Sequence, residues 1–497
     1  MKKRLTIFFS IIALCCSTAF ASDTLLADIN GDGVVTTEDA TLIYDFICGI
    51  ADASITADKV DVNSDGKVNT ADVVEVYLKL LETTKDVPYL TFEAEKEQSM
   101  TIGIKGSYIL DESLQYSVND GEWNSLKAAT PISFGGEKGS LRLRGKSATG
   151  MAESFSKYAL ITFGNKTIPV ACSGDIRTLV DYTNHTSTNT DKALFCYMFN
   201  GCTNLTSAPE LPATMLAERC YYGMFYGCTS LTTAPVLPAT SLKASCYYSM
   251  FSGCTSLTST PELPADTIAD MCYYNMFYGC TGLTTASNLP ATTLAKSCYA
   301  NMFYGCTGLT TAPELPAVAL EANCYEKMFY GCKKLTTTPT LPATTLAEKC
   351  YYYMFRDCSS IDKVSELPAT TLAKSCYEYM FYGCTGLTTA PELSATTVAE
   401  RCCYGMFYNC TSLTSTPTLL ASSLAEKCYY YMFRSCTNLN SVTMLATDIS
   451  ASGCLSNWLD RVATTGTFFK ASEMQESAFT RDKNGIPSGW AVEDYNR

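Results

Sequence analysis

Ten cysteines stand at strict 26-residue intervals, at positions 202, 228, 254, 280, 306, 332, 358, 384, 410 and 436. A second series runs from Cys220 to Cys454 with the same period. A fixed period of this length marks stacked supersecondary units, each too small to bury its apolar face alone. It commits about residues 190–460 of this 497-residue chain to a solenoid.

One unit, from Cys202 to Gly227, shows how a coil is built. Leu205, Ala208 and Leu211 are the apolar positions of a short strand, which is followed by the Leu211-Pro212 turn. Leu216, Cys220 and Met224 lie four apart beside Ala217, Tyr221 and Phe225, a spacing that predicts the buried stripe of a short helix. Thr345-x-x-Glu348, Thr397-x-x-Glu400 and Ser423-x-x-Glu426 read as capping boxes at its start. Gly227 and its equivalents Asp357, Asn409 and Ser435 fall where it would end, in a left-handed cap. Strand, turn, helix and return make one coil of a right-handed solenoid. About ten coils at roughly 5 Å each give a stack on the order of 50 Å long. Pro209, Pro235 and Pro313 remove ladder donors and should shorten the strand ladder. The Met-Phe-x-Gly-Cys-Thr-x-Leu core, as in Met302 to Leu309, resembles that of BspA-like leucine-rich repeats. The resemblance implies surface adhesion or ligand binding rather than catalysis.

The 26 cysteines admit three readings. A metal store would need paired CxxC ligands or histidines, and His185 is the single histidine. Disulfides are open to an exported chain, since equivalent positions in adjacent coils come within bonding range. Both series fall on the inward stripe, where free thiols behave as small hydrophobes.

The N-terminus reads as an address. Lys2, Lys3 and Arg4 precede an apolar run from Leu5 to Leu14, and Ala19-Phe20-Ala21 offers a cleavage position, so residues 1–21 are expected to be a signal peptide. Cys15 and Cys16 leave lipidation open. No later segment has the 18 or so apolar residues of a membrane span. Cleavage before Ser22 would take the net charge from −13 to −16, and this acidic balance argues against nucleic acid as a partner.

Two acidic loops follow, each with oxygen ligands at positions 1, 3, 5 and 12 and a glycine at 6, as Ca²⁺ requires. The first comprises Asp28, Asn30, Asp32, Val34, Thr36 and Asp39, with Val34 donating its carbonyl and Thr36 acting through water. Asp61, Asn63, Asp65, Lys67, Asn69 and Asp72 form the second, 33 residues later. The following segments fit helices, with Ile43, Tyr44 and Ile47 matched by Val76, Tyr77 and Leu80. Aspartate at position 12 and the duplication resemble a type I dockerin across residues 22–83. That resemblance implies two Ca²⁺ ions and a cohesin-type scaffold as partner, met near Thr36, Thr37 and Thr70. The same 62 residues hold 13 Asp and Glu against Lys59, Lys67 and Lys79, which ties folding of this module to calcium.

Between module and repeats, residues 87–175 switch to period two, with Leu90/Phe92, Ile102/Ile104, Tyr116/Val118 and Leu141/Leu143. Asn119-Asp120-Gly121 reads as a hairpin turn, and the whole as a small sandwich or barrel that spaces or caps the solenoid. After Cys454 the repeat decays, and residues 461–497 are expected to close its far end.

The fold class is therefore multidomain: an α/β leucine-rich-repeat solenoid of 26-residue repeats, preceded by a small all-β domain and a small α-helical dockerin-like Ca²⁺-binding module. No carboxylate pair is marked out for catalysis, so the chain reads as a secreted or cell-surface, non-enzymatic binding protein. Tyr226, Tyr278, Tyr304, Tyr330, Tyr382 and Tyr408 share a repeat position that Ser252, Arg356 and Arg434 also occupy, and a position that accepts Arg is expected to be exposed. They form either a ligand-binding aromatic ladder for a host protein or glycan, or cross-coil packing. The alternative function is a component of a polysaccharide-degrading complex with an unrecognised glycoside hydrolase activity.

Overall fold

The computed structural model describes residues 29–30, 37–52, 54–62, 65–83, 87–482 and 484–495. The expected signal peptide and Cys15 and Cys16 lie outside them. The chain divides into two compact units, residues 1–88 and 89–497.

In the first unit, α1 (Thr37–Ile47), α2 (Ala57–Val60) and α3 (Thr70–Thr83) surround a core of Ile29, Ala40, Ile43, Val60, Val62 and Val76. Ile43 and Val76, equivalent in the duplication, are both fully buried, whereas Tyr44 and Ile47 stay exposed.

The second unit opens with a two-sheet antiparallel sandwich. Its strands are β1 (Leu90–Glu93), β2 (Gln98–Lys105), β3 (Gln115–Val118), β4 (Asn124–Ser125), β5 (Ile132–Phe134), β6 (Leu141–Arg144), β7 (Ala152–Ser154), β8 (Lys157–Phe163) and β9 (Ala171–Ser173). One sheet has the order β4-β3-β6-β1-β9 and the other β5-β2-β8-β7. Asn119 and Asp120 turn the β3–β4 hairpin with φ of 51° and 57°, the left-handed pair of a type I′ turn. The period-two reading errs at β3: Ser117 is buried, bonding the Gly121 carbonyl at 2.7 Å, while Tyr116 and Val118 are only half-buried. The sandwich shares one apolar core with the repeats. Phe92 lies 6.2 Å from Phe199, and the Cys202 thiol donates to the Ile161 carbonyl at 3.2 Å.

The repeats coil as expected, but without the helix. Residues 219–228 form a run of four-residue turns. Arg219, Gly223 and Gly227 are left-handed, with φ of 60°, 57° and 71°. Backbone N–H groups alternate in direction. Cys220, Tyr222, Met224, Tyr226 and Cys228 donate three residues back, at 3.0–3.2 Å. Arg219, Tyr221, Gly223, Phe225 and Gly227 donate across to the next coil, each to a carbonyl 25 residues ahead at 2.7–3.0 Å. The apolar period is a strict four, whereas a helix of 3.6 residues per turn would drift off its stripe. The expected capping boxes do not form either: Thr345, Thr397 and Ser423 sit in parallel bridges to the neighbouring coils. Left-handed caps were expected at Gly227, Asp357, Asn409 and Ser435, and all four have positive φ.

The strand side is mostly isolated parallel bridges. Regular strands appear only at the end, as β10 (Ser415–Leu419), β11 (Ser441–Met444), β12 (Gly466–Lys470) and β13 (Trp490–Asp494). Pro417 lies where the β10–β11 register shifts, and the proline-free β11, β12 and β13 pair without interruption. The tail is held by tryptophans. Trp458 Nε1 donates to the Gly485 carbonyl and Trp490 Nε1 to the Ala463 carbonyl, each at 2.7 Å.

Inside, phenylalanines from Phe199 to Phe433 stack at 5.4–5.6 Å, ending on Trp458. A parallel column runs from Tyr221 to Tyr377. The cysteines between them are free thiols. From Cys228 to Cys436 the first series donates to the carbonyl of a Phe 29 residues earlier, at 3.0–3.2 Å. Burial pushes these thiols up, Cys202, Cys280 and Cys436 to about 12. Cys48 is the exposed one among the described residues. Alkylation followed by intact-mass analysis of the chain lacking residues 1–21 should therefore label Cys48 alone under native conditions. The 23 buried cysteines should add their mass only in denaturant without reductant, whereas a requirement for reductant would establish disulfides.

Candidate functional site

Two regions carry candidate chemistry, one in each unit. In the first loop, Asp28, Asp32, Val34 and Thr36 lie outside the described residues. Asn30 and Asp39 are described, and buried Asp39 accepts the Ile29 and Asn30 amides at 2.8 and 3.2 Å. Of the expected ligands in the second loop only Asn63 lies outside the described residues. Asp61 accepts the Asp65 and Gly66 amides at 3.1 and 2.9 Å, Asp65 accepts the Lys67 amide, and buried Asp72 accepts the Asn69 amide at 2.9 Å. Gly66 takes φ of 79°, the sharp turn needed at position 6. Among the described residues no three acidic, cysteine or histidine side chains converge as a preformed metal cluster. The described acidic side chains of these loops, Asp39, Asp61, Asp65 and Asp72, each accept backbone amides of their own loop and offer oxygen atoms, the donor type that suits a hard cation.

The outward side of the turn run bears two aromatic columns. Tyr222, Tyr248 and Tyr274 stack at 4.4 and 4.8 Å, as do Tyr404 and Tyr430 at 4.8 Å. This column was not singled out in the sequence, although its 26-residue recurrence is visible there. The second column is the one expected. Tyr278, Tyr304 and Tyr330 stack at 4.6 and 4.4 Å, and Tyr382 and Tyr408 at 4.8 Å. Cross-coil packing therefore occupies the ring faces, leaving edges and hydroxyls to solvent. Arg356 bridges the two runs, with Cζ 5.3 Å from the Tyr330 centroid and 4.2 Å from that of Tyr382. Arg434 follows Tyr408 at 5.7 Å and pairs with Asp460 at 3.1 Å. Tyr226 stands apart, separated from Tyr278 by Ser252.

Charged groups in the first column are paired internally. Glu378, between Tyr352 and Tyr404, is 3% exposed and receives Arg401 through Nη2 at 2.5 Å and Nε at 3.1 Å. The Arg401 guanidinium lies 4.1 Å from the Tyr404 centroid. Glu326 accepts from Asn323 and Lys327 at 2.5 and 2.7 Å. Burial pushes Tyr330 up to about 12, and Tyr278 and Tyr382 rise for the same first cause. Folding thus favours the neutral phenols. Their contribution is complete below the unfolded tyrosine value near 10 and is lost as pH climbs toward about 12. In a titration followed at 295 nm, part of the tyrosinate signal should appear only above pH ~10 and coincide with unfolding. Complete ionisation centred at about 10 in a folded chain would contradict the stacking.

No helix among the described residues is long and apolar enough to cross a membrane. The sequence model of the dockerin type I domain matches residues 26–81. That of the BspA type leucine rich repeat region matches in overlapping stretches, 181–310, 272–414, 315–440 and 348–484. No curated protein matches the chain. Both matched module types are non-catalytic. With more than half its length covered by those repeats, the chain belongs to the BspA type leucine rich repeat family, and it carries a dockerin type I domain at its N-terminal end.

Proposed function

We infer that the chain is an exported, non-enzymatic binding protein, anchored by its first unit to a cohesin-type scaffold and presenting its solenoid to a protein or glycan ligand. The observation that carries this reading is the pairing, in one chain, of a dockerin type I match with BspA type repeats. Tyr44, Ile47, Ile50 and Val74 are exposed apolar side chains on the small unit, as a protein-binding surface requires. Calcium would be held at two sites by the oxygen donors of the 28–39 and 61–72 loops, and would supply the charge that lets these acidic loops close.

On the solenoid the ligand surface would be the outward tyrosine columns, including Tyr226, Tyr278, Tyr304, Tyr330, Tyr382 and Tyr408. Stacked rings present hydroxyl edges, which suits hydrogen bonding along the column. A stacked sugar finds an open ring face only where a column is interrupted.

Calorimetric titration of Ca²⁺ into the chain lacking residues 1–21 should resolve two sites, and Asp61→Ala should leave one. Undiminished stoichiometry in Asp61→Ala would refute the loop assignment. Capture of a cohesin-bearing partner should be abolished by chelator. A reducing-sugar assay on plant and host glycans should show no turnover. Turnover lost on changing one carboxylate would replace the binding reading with the glycoside hydrolase alternative.

A further inference from the structure

The outward tyrosine column is interrupted twice, and its interruptions differ in what fills them. At position 356 the intervening residue is arginine and at 252 it is serine, while Arg434 ends the column ahead of Asp460. Arg356 shows what the gap accepts: a planar guanidinium between two rings, 5.3 and 4.2 Å from their centroids. At Ser252 the column has no ring or guanidinium to place between Tyr226 and Tyr278. Tyr226 and Tyr278, two coils apart, are separated by about 9 Å at the strand-like coil spacing. A flat group with carbon contacts of ~3.5–4 Å on both faces needs slightly less. Tyr226 and Tyr278 are the most exposed of the six tyrosines, at 46% and 39%. Ser252 is itself buried and its hydroxyl donates to the Tyr278 carbonyl at 3.4 Å, so it sets no competing donor between the rings. Below Tyr226 the column position is held by Asn200, so that ring stacks on no neighbour in its own column.

We propose that the slot between Tyr226 and Tyr278 over Ser252 is a binding site for an arginine side chain of a partner protein. This rests on the surface-binding reading above and names the chemistry of its ligand. The rings' negative faces select a cation, and their spacing selects a planar one. Lysine, a compact and strongly hydrated ammonium, cannot stack on both walls.

Saturation-transfer NMR on the full chain, with arginine amide, lysine amide and methyl β-glucoside as probes, tests the site. Arginine amide should give saturable transfer with an affinity on the order of millimolar, and lysine amide a much weaker response. Ser252→Tyr places in the gap the ring that most other coils carry, so the chain should fold with unchanged thermal unfolding while arginine transfer falls about tenfold. Ser252→Arg, which supplies the occupant internally, should do the same. Equal transfer in parent and variants, or preference for the glucoside, would overturn the slot. If a protein partner captured through the solenoid is retained equally by Ser252→Tyr, the slot is not its site and the surface-binding reading stands. If the parent solenoid captures neither protein nor glycan, that reading fails in its own right.

Discussion

Everything in the solenoid depends on one hydrogen-bond pattern. Every second N–H along the turn run leaves its own coil and donates to the next. That direction is possible only because one residue in four is left-handed, which reverses the chain before a helix can propagate. For a residue with a side chain this costs roughly 1–2 kcal/mol. A cross-coil bond returns about 1 kcal/mol net, and the coil from Arg219 to Gly227 makes five such bonds against three left-handed residues, two of them glycine. The balance is repeated coil after coil, so stability is a sum of nearest-neighbour terms, with the sandwich and the tryptophan-pinned tail closing the ends.

Strict repetition also aligns the side chains. Once each coil copies the last, identical residues lie above one another at ring-stacking distance. Phe and Tyr then form columns inside, and Tyr forms columns outside. The inner columns are packing. The outer ones are packing as well, but with breaks, and the breaks are where the surface is chemically individual: Arg356 between two tyrosine runs, Glu378 locked to Arg401, and the serine at 252. A repeat protein with uniform columns offers one weak contact many times, and interruptions give it positions at which a ligand can be registered.

Much of this was legible in the sequence, and the errors have a common origin. The 26-residue period announced the solenoid. The inward cysteines and the exposed tyrosine position followed from which residues recur and which vary. The hairpin at Asn119-Asp120 followed from turn chemistry. Helix was the wrong reading of 216–225 because a stripe at i and i+4 suits both a helix and a run of four-residue turns. The discriminating signal was present: Gly223 and Gly227 are four apart, as are Asn275 and Gly279. Glycine and asparagine at that interval suit repeated left-handed corners and oppose a continuous helix. The Tyr222 column escaped notice because Ala300, Glu326 and Glu378 break it, and the geometry of the Ser252 gap required the coil spacing.

The amide I infrared spectrum of the chain lacking residues 1–21 tests the turn ladder most directly, since tyrosine stacking does not intrude on that band. The described helices comprise runs of 11, 4, 14 and 4 residues, so the helical component should be less than about a tenth of the band. A helical share of roughly a quarter, as ten helical coils would give, would contradict the ladder and the register of every column built on it.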